Sequence, residues 1–221
     1  MYRHVRSPAC RARERVGNVY DASMHRALLD VERSAVVVID LQGKLVDMVY
    51  RPERVIAATT RLMTLAGIFG RPVVLTEQYP EGLGPTHPDV RATFDGLDVP
   101  KRHVTKVAFG CCGEPTFAQA LDDVLPRVPV RERQIVVAGI EAHVCVLQTV
   151  VELLHAGSEV HVCWECVSGR GEEYYRHALE RMRQAGACIT NHESVGFEWA
   201  RTKAHAAFRA MSGLFREGQI V

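Results

Sequence analysis

The sequence predicts an α/β protein made of a single three-layer α/β/α domain, in which helices cover both faces of a mostly parallel sheet. Short apolar runs rich in β-branched residues alternate along the chain with longer segments whose apolar residues recur at helical spacing. The length of 221 residues suits one large domain of this class. Because such sheets bind ligands at the carboxyl ends of their strands, polar residues at those ends are the candidates for a functional site.

Two strands and one helix are predicted in the first third of the chain. The first strand, 35–39, is apolar and ends at Asp40. A helix follows at 52–70, with proline in its favoured first position. The second strand, 73–76, leads into a loop at 77–89 that is rich in glycine and proline. A loop of this length and composition is typical of a binding segment.

The stretch from Gln134 to Gly157 is the centre of the predicted domain. It begins with a buried strand at 135–138 and continues, from Ala142, as a helix with Cys145 in its first turn. The apolar face of this helix is predicted to contain Val144, Leu147, Val151 and Leu154. A helix N-terminus favours thiolate over thiol, and its N–H groups can hold a developing oxyanion. The alternative is that Cys145 is simply a small buried apolar residue.

The remaining predicted elements complete the alternation of strands and helices. They are an extended segment at 103–107, a helix at 115–125, a strand at 159–164, a helix at 172–185, a strand at 188–190 and a last helix from 198 to about 215. A C-x-x-C pattern, Cys163 to Cys166, lies along one of these strands. Because side chains alternate across a sheet, the pattern is interpreted as part of a strand rather than as a redox motif.

Composition excludes several classes of protein. The chain is 47% hydrophobic and 24% charged, with a net charge of +1, so there is no electrostatic reason to expect nucleic acid or an anionic membrane as a partner. No apolar run approaches the roughly 18 residues that would span a bilayer. Seven cysteines, several of them in apolar segments, indicate reduced thiols in a cytoplasmic compartment rather than a disulfide framework.

Residues 1–30 differ from the predicted domain at 31–221, because they are rich in arginine and develop no hydrophobic period. Two interpretations remain open for this extension. It is either an organelle transit peptide, or else a mobile arm or an extension upstream of a start at Met24.

Asp40 follows four β-branched residues directly, and a carboxylate that is buried there without a partner would cost several kcal/mol. Lys106, beside an extended segment, is the predicted partner. One interpretation is a structural ion pair at the end of the sheet. The other is that Asp40 takes the thiol proton of Cys145 while Lys106 holds the thiolate.

Three segments resemble the signatures of the isochorismatase-like cysteine hydrolases: VVVIDLQ around Asp40, TKVAFGC around Lys106 and GIEAHVCV around Cys145. The loop LTEQYPEGLGPT also resembles the domain-containing branch of that superfamily, and the likeness extends from about Ser34 to Val195. It implies an isochorismatase-like (Rossmann-like) hydrolase fold that forms homo-oligomers, whose neighbouring subunits help to close the pocket.

The same resemblance assigns roles to particular residues. Asp40 would be the general base, Lys106 the stabilising cation and Cys145 the nucleophile. The peptide bond between Ile140 and Glu141 would be cis, and the N–H groups of Glu141 and Cys145 would form the oxyanion hole.

Departures from relatives narrow the expected reaction. Nicotinamidases of the superfamily carry an Asp-x-His metal motif where this chain has Glu77-Gln78-Tyr79, so neither a metal nor another cofactor is expected. A cysteine nucleophile fits attack on an acyl carbon, which favours hydrolysis of the C–N bond in a small amide. The alternatives are hydrolysis of an isochorismate-like vinyl ether, or a catalytically silent protein that keeps the fold for binding or oligomerisation.

Contacts with a small-molecule substrate are expected at the ends of the strands and in the turns beside them. The candidates are Gln42, Glu77, Gln78, Tyr79, Phe109 and His143. A purely structural role for the loop that begins at Glu77 is the alternative.

Overall fold

The computed structural model describes residues 28–216 and contains a six-stranded sheet in which every pair of neighbouring strands is parallel. The strands are β1 (Ser34–Ile39), β2 (Val73–Gln78), β3 (Lys101–Lys106), β4 (Gln134–Gly139), β5 (Glu159–Val167) and β6 (Cys188–Thr190). Their order across the sheet is β3-β2-β1-β4-β5-β6. The predicted α/β fold class is therefore confirmed.

Helices cover both faces of this sheet. They are α1 (Pro52–Ile68), α2 (Pro80–Leu83), α3 (Pro88–Gly96), α4 (Pro115–Val124), α5 (Leu147–His155), α6 (Glu172–Ala185), α7 (His192–Ala200) and α8 (Phe208–Arg216). One core packs α1, α7 and α8 against Val36 and Val38, and the other packs α4, α5 and α6 against Val37. Because side chains alternate along a strand, β1 is buried on both faces, which explains its unbroken apolar run.

Two predicted boundaries are wrong. The segment at 77–89 is not a plain loop, because β2 extends to Gln78 and both α2 and the start of α3 lie within it. The last helix is not continuous from 198 to 215, because α7 ends at Ala200 and Arg201 has a positive φ of 56°, which a helix cannot accommodate.

The helix that carries Cys145 also differs from the prediction. It starts with one wide, π-helical turn, Ala142–Val146, and becomes α-helical only at Leu147. The predicted apolar face is wrong in part, because Val151 is 42% exposed while Val150 and Leu153 are buried. A π-helical turn contains more residues than an α-helical turn, so the residues after it face a different direction from the one that an uninterrupted 3.6-residue period predicts.

The Arg-rich segment at 1–30 lies almost entirely outside the described residues, so both hypotheses about it stay predictions. Within residues 28–216, no helix has the length and apolar character needed to cross a membrane.

The strand order creates a crevice at the centre of the sheet. From β1 the chain passes to α1 on one face, whereas from β4 it passes to α5 on the other face. Where neighbouring strands lead to opposite faces, their loops diverge and leave a space at the carboxyl ends. Asp40 follows β1 and Cys145 lies in the turn after β4, so both residues lie at this crevice.

Candidate active site

Asp40 is buried at the end of β1 and has φ 51°, a left-handed conformation that aspartate tolerates better than most residues. Its Oδ1 accepts a hydrogen bond from the Thr76 hydroxyl at 2.7 Å. Its Oδ2 lies 2.7 Å from Nζ of Lys106. Asp40 therefore has Lys106 as its cationic partner, as the sequence predicts.

Lys106 ends β3, and its ammonium group is buried among oxygen atoms. Nζ donates hydrogen bonds to Gln78 Oε1 at 2.7 Å, to the Phe109 carbonyl at 3.0 Å and to the Ala108 carbonyl at 3.1 Å. An ammonium group has three protons, and these three acceptors occupy them. Asp40 Oδ2 pairs with this ammonium group by charge at 2.7 Å, and a carboxylate oxygen has a further lone pair with which to accept a proton.

Cys145 is buried in the wide turn, beside this ion pair. The Thr149 hydroxyl donates to the Cys145 carbonyl at 2.7 Å, and the Cys111 N–H donates to the same hydroxyl at 2.9 Å. Burial raises the pKa of the Cys145 thiol to about 12, and the charge of Asp40 and its hydrogen bond with the thiol also raise it, whereas Lys106 lowers it. Burial and the carboxylate of Asp40 therefore oppose the thiolate that the helix N-terminus was expected to favour.

The segment before Cys145 is fixed by close backbone contacts. The Ile140–Glu141 peptide bond is cis, the geometry that the family resemblance implied. Gly139 adopts φ 125°, and a Cβ atom there would lie 2.0 Å from the Ile39 carbonyl oxygen, so β1 and β4 approach each other more closely than a side chain would allow. The Ala142 N–H donates to the Ser168 carbonyl at 2.6 Å.

The residues expected to contact substrate fall into two groups. Gln42, Glu77 and Gln78 are buried, and their side chains bind protein atoms. Tyr79 and Phe109 are exposed, at 53% and 58%, beside the loops that hold Lys106. Their contact with substrate stays a prediction.

Glu77 illustrates the buried group. Its Oε1 accepts hydrogen bonds from the N–H and the hydroxyl of Thr86, and its Oε2 lies 3.1 Å from Nε2 of His103. Burial alone would raise the pKa of Glu77, but the hydrogen bonds from Thr86 and the contact with His103 together outweigh it and lower the pKa. These contacts support the structural alternative for this residue.

His143 lies within the wide turn, and Arg170 contacts Glu141, the residue that precedes the turn. The His143 ring stacks on Tyr174 with centroids 4.9 Å apart. Arg170, which the sequence analysis missed, forms an ion pair with Glu141 at 3.0 Å. Only the polar, glycine-containing segment SGRG at 168–171 hinted at a loop there.

Cys163 and Cys166 both lie in the same buried core, although residues three apart on a regular strand face opposite sides. The register between β4 and β5 shifts after Val137, which accounts for the difference. Burial raises the pKa of both thiols, and the described cysteines form no disulfide. Nor do the described residues include a cluster of three histidine, cysteine, aspartate or glutamate side chains that could hold a metal ion.

Comparison with known proteins agrees with this geometry. The family described as "Isochorismatase domain" matches residues 34–194. Isochorismatase domain-containing protein 2A of Mus musculus is 33% identical over 196 residues, which cover 89% of this chain and 88% of that protein.

Solved structures show the same fold. A structure described as MAR1 ribonuclease from Caenorhabditis elegans is 33% identical, with a TM-score of 0.76 over 86% of this chain and 92% of that one. The YcaC gene product of Escherichia coli, described as an octameric hydrolase of unknown specificity, is 24% identical, with a TM-score of 0.74 over 86% of this chain and 91% of that one. The sheet order, the crevice between β1 and β4, and these matches together show that the chain belongs to the isochorismatase family and has the fold of its hydrolases.

Proposed function

We propose that the protein is a metal-independent cysteine hydrolase that cleaves the C–N bond of a small amide-like substrate through a thioester intermediate. The observation that carries the proposal is a buried thiol beside a buried carboxylate, whose Oδ2 lies 2.7 Å from the ammonium nitrogen of Lys106. A base beside a nucleophile, with a third group that orients the base, is the arrangement that activates a weak nucleophile.

In the first half of the proposed reaction, Sγ of Cys145 attacks the acyl carbon as the thiol proton passes to Asp40. The carbonyl oxygen becomes an oxyanion, for which the N–H groups of Glu141 and Cys145 are the proposed donors. Asp40 then returns the proton to the leaving nitrogen, the C–N bond breaks, and an amine or ammonia departs. The acyl group remains on Cys145 as a thioester.

In the second half, water attacks the thioester carbon and gives one proton to Asp40. The C–S bond breaks, and the proton returns to the sulfur, so that the resting thiol is restored. Asp40 is base and acid in turn, which microscopic reversibility requires of one group that serves both steps.

Lys106 acts on the base rather than on the sulfur in this proposal. Its ammonium group donates to three other oxygen atoms and lies against Oδ2 of Asp40, so its positive charge compensates the buried carboxylate. The charge pair therefore supplies a carboxylate that is ready to accept a proton, without a metal ion.

The test is turnover of a panel of small amides, followed by release of ammonia or amine. Cys145→Ala is expected to abolish turnover while its circular dichroism and melting temperature stay close to those of the native protein. Cys188→Ala is the matched control, because Cys188 is an exposed cysteine on β6, and it is expected to keep full activity. Intact mass after acid quenching is expected to show an acyl group on the native protein alone. Full activity of Cys145→Ala would sink the proposal.

Three alternatives differ from this proposal in what they require of the site. A catalytically silent binding protein would show neither turnover nor an acyl adduct. Hydrolysis of RNA, suggested by the description of the C. elegans structure, would require cationic groups for phosphate, whereas the catalytic cation here is buried and paired with Asp40. Cleavage of a vinyl ether would proceed without an adduct on Cys145.

We also propose that the protein is a homo-oligomer located in the cytoplasm. The description of the E. coli relative as octameric supports the first proposal, and exposed Phe109 and Val107 beside the site are apolar surface that a second copy would bury. The lack of a disulfide among the described cysteines supports the second. Sedimentation of the purified protein tests its assembly.

A further inference from the structure

Strand β2 contributes none of the three proposed catalytic residues Asp40, Lys106 and Cys145. It lies, however, between the strand that leads to the base and the strand that carries the cation. Asp40 follows β1 on one side, and Lys106 ends β3 on the other. Thr76 and Gln78 are two positions apart near the end of β2, so both side chains project from the same face of the sheet. Each of them binds a different member of the ion pair.

Thr76 binds the base. Its hydroxyl donates to Asp40 Oδ1 at 2.7 Å and is shielded from solvent. Lys106 occupies the other carboxylate oxygen, Oδ2, at 2.7 Å. A carboxylate held at both oxygens cannot rotate freely, so these two contacts set the plane in which it meets the thiol.

Gln78 binds the cation. Its Oε1 accepts from Lys106 Nζ at 2.7 Å, and its Nε2 donates to the Val107 carbonyl at 2.7 Å. The backbone of Gln78 is fixed in turn by Gln42, whose Oε1 accepts from the Gln78 N–H at 2.6 Å and whose Nε2 donates to the Gln78 carbonyl at 2.9 Å. Both ends of the Gln78 amide are thus occupied by protein atoms, an arrangement suited to orienting Lys106 rather than to binding a ligand.

We propose that Thr76 and Gln78 are positioning residues of the candidate active site, with Thr76 orienting and polarising the Asp40 carboxylate and Gln78 fixing the Lys106 ammonium against it. The inference rests on the proposed function, because it assigns to both residues an effect on proton transfer from Cys145. A purely structural role would change stability without slowing the alkylation of Cys145.

The test measures alkylation of Cys145 by iodoacetamide between pH 5 and pH 8, with the modified residue located by mass spectrometry. In this reaction the S–C bond forms as iodide leaves, and the thiol proton passes to Asp40. Thr76→Val keeps the Asp40 charge but frees the carboxylate to rotate away from the thiol, so the proton is received less well and alkylation is expected to be about tenfold slower at both ends of this pH range. Thr76→Ser restores the hydroxyl and is expected to restore the native profile.

Gln78→Met removes both amide contacts at similar length, and alkylation is expected to be about tenfold slower at both pH values, because the cation is no longer held against the base. If this variant does not fold, Gln78→Glu is used instead. It keeps an acceptor for Lys106, but its carboxylate competes with Asp40 for the ammonium group, so alkylation is again expected to be slower than native.

Two matched controls separate positioning from stability. Thr59 is a buried threonine whose hydroxyl donates to the Cys166 carbonyl at 3.4 Å, and Gln134 is a buried glutamine whose Nε2 donates to Glu159 at 2.9 Å. Thr59→Val and Gln134→Met are expected to keep the native alkylation profile. The inference is overturned if Thr76→Val and Gln78→Met superimpose on the native profile, or if the controls change it equally.

Failure of the positioning role and failure of the proposed function can be told apart. If the variants behave as expected but no amide is turned over, the positioning role stands and the proposed function fails. If amides are hydrolysed through Cys145 while the alkylation profiles of the variants match the native one, the function stands and the positioning role fails.

Discussion

Replacing Asp40 by asparagine is expected to make the Cys145 thiol easier to ionise while abolishing turnover. Burial is the largest cause of the raised pKa of about 12, and the charge of Asp40 and its hydrogen bond with the thiol both add to it. Asp40→Asn removes those two contributions and leaves Lys106, which lowers the thiol pKa, without an opposing charge. An ordinary catalytic thiol behaves in the opposite way, because loss of its base makes it less reactive.

The magnitude follows from the pKa. Relative to the ordinary value of 9.0, a pKa of about 12 reduces the thiolate population at neutral pH by about a thousandfold. Loss of a neighbouring carboxylate changes a pKa by about 1–3 units, so the Cys145 pKa is expected to fall in Asp40→Asn. Thiolate would then rise by about tenfold to a thousandfold, although the group that receives the proton during attack is gone.

The assay is the ultraviolet absorbance of thiolate, titrated as a difference between each protein and the same protein with Cys145→Ser. The difference isolates Cys145 from the other six cysteines of the chain. The native difference is expected to stay flat until well above pH 9, and that of Asp40→Asn to rise at lower pH. A native Cys145 that ionises near neutral pH, or an Asp40→Asn variant whose thiol pKa rises, would refute the reasoning from desolvation.

Two further predictions concern the stability of buried charges. Lys106→Met leaves Asp40 without its cation and is expected to lower the free energy of unfolding in urea by about 3–5 kcal/mol. The double variant Asp40→Asn/Lys106→Met is expected to regain part of that loss. If the losses of the two single variants simply add, the two residues are not a coupled pair. Glu77→Gln is expected to cost about 1–2 kcal/mol at pH 7. The pKa of Glu77 in the folded protein is lowered from 4.5, so the stabilisation by its carboxylate is complete above the unfolded pKa and is lost as pH falls through the folded pKa. The urea curves of the two proteins should therefore converge in acid. A difference in stability that persists at about pH 3 would contradict this sign.

The hydrophobic pattern of the strands, and the rule that ligands bind where parallel strands end, were sufficient to predict the position of the site in the sheet. The apolar runs of β1 and β4 mark central strands because both of their faces are buried, and Asp40 is conspicuous as a charge at the end of such a run. The pairing of Asp40 with Lys106 followed from the cost of an isolated buried charge.

The protonation state of Cys145 could not be predicted from the sequence, since it depends on burial by residues distant in the chain. Helix α3 was missed because its pattern is mostly polar, with only Val90 and Phe94 buried. The wide turn at Ala142–Val146 has no recognisable pattern in the sequence. Because it shifts the helical period by one residue, Val151 was predicted to face the core although it is exposed. Thr76 gave no signal because a threonine in a strand is ordinary.

The ion pair and the neutral thiol give the buried crevice no net charge at rest, since the carboxylate of Asp40 is balanced by Lys106. In the proposed attack, negative charge leaves Asp40 as it takes the proton and reappears on the carbonyl oxygen, while Lys106 stays positive. The site therefore passes from substrate to tetrahedral intermediate by moving a charge a short distance within protein. No ion has to be transferred from water into the interior, a step whose solvation cost would otherwise fall on the barrier.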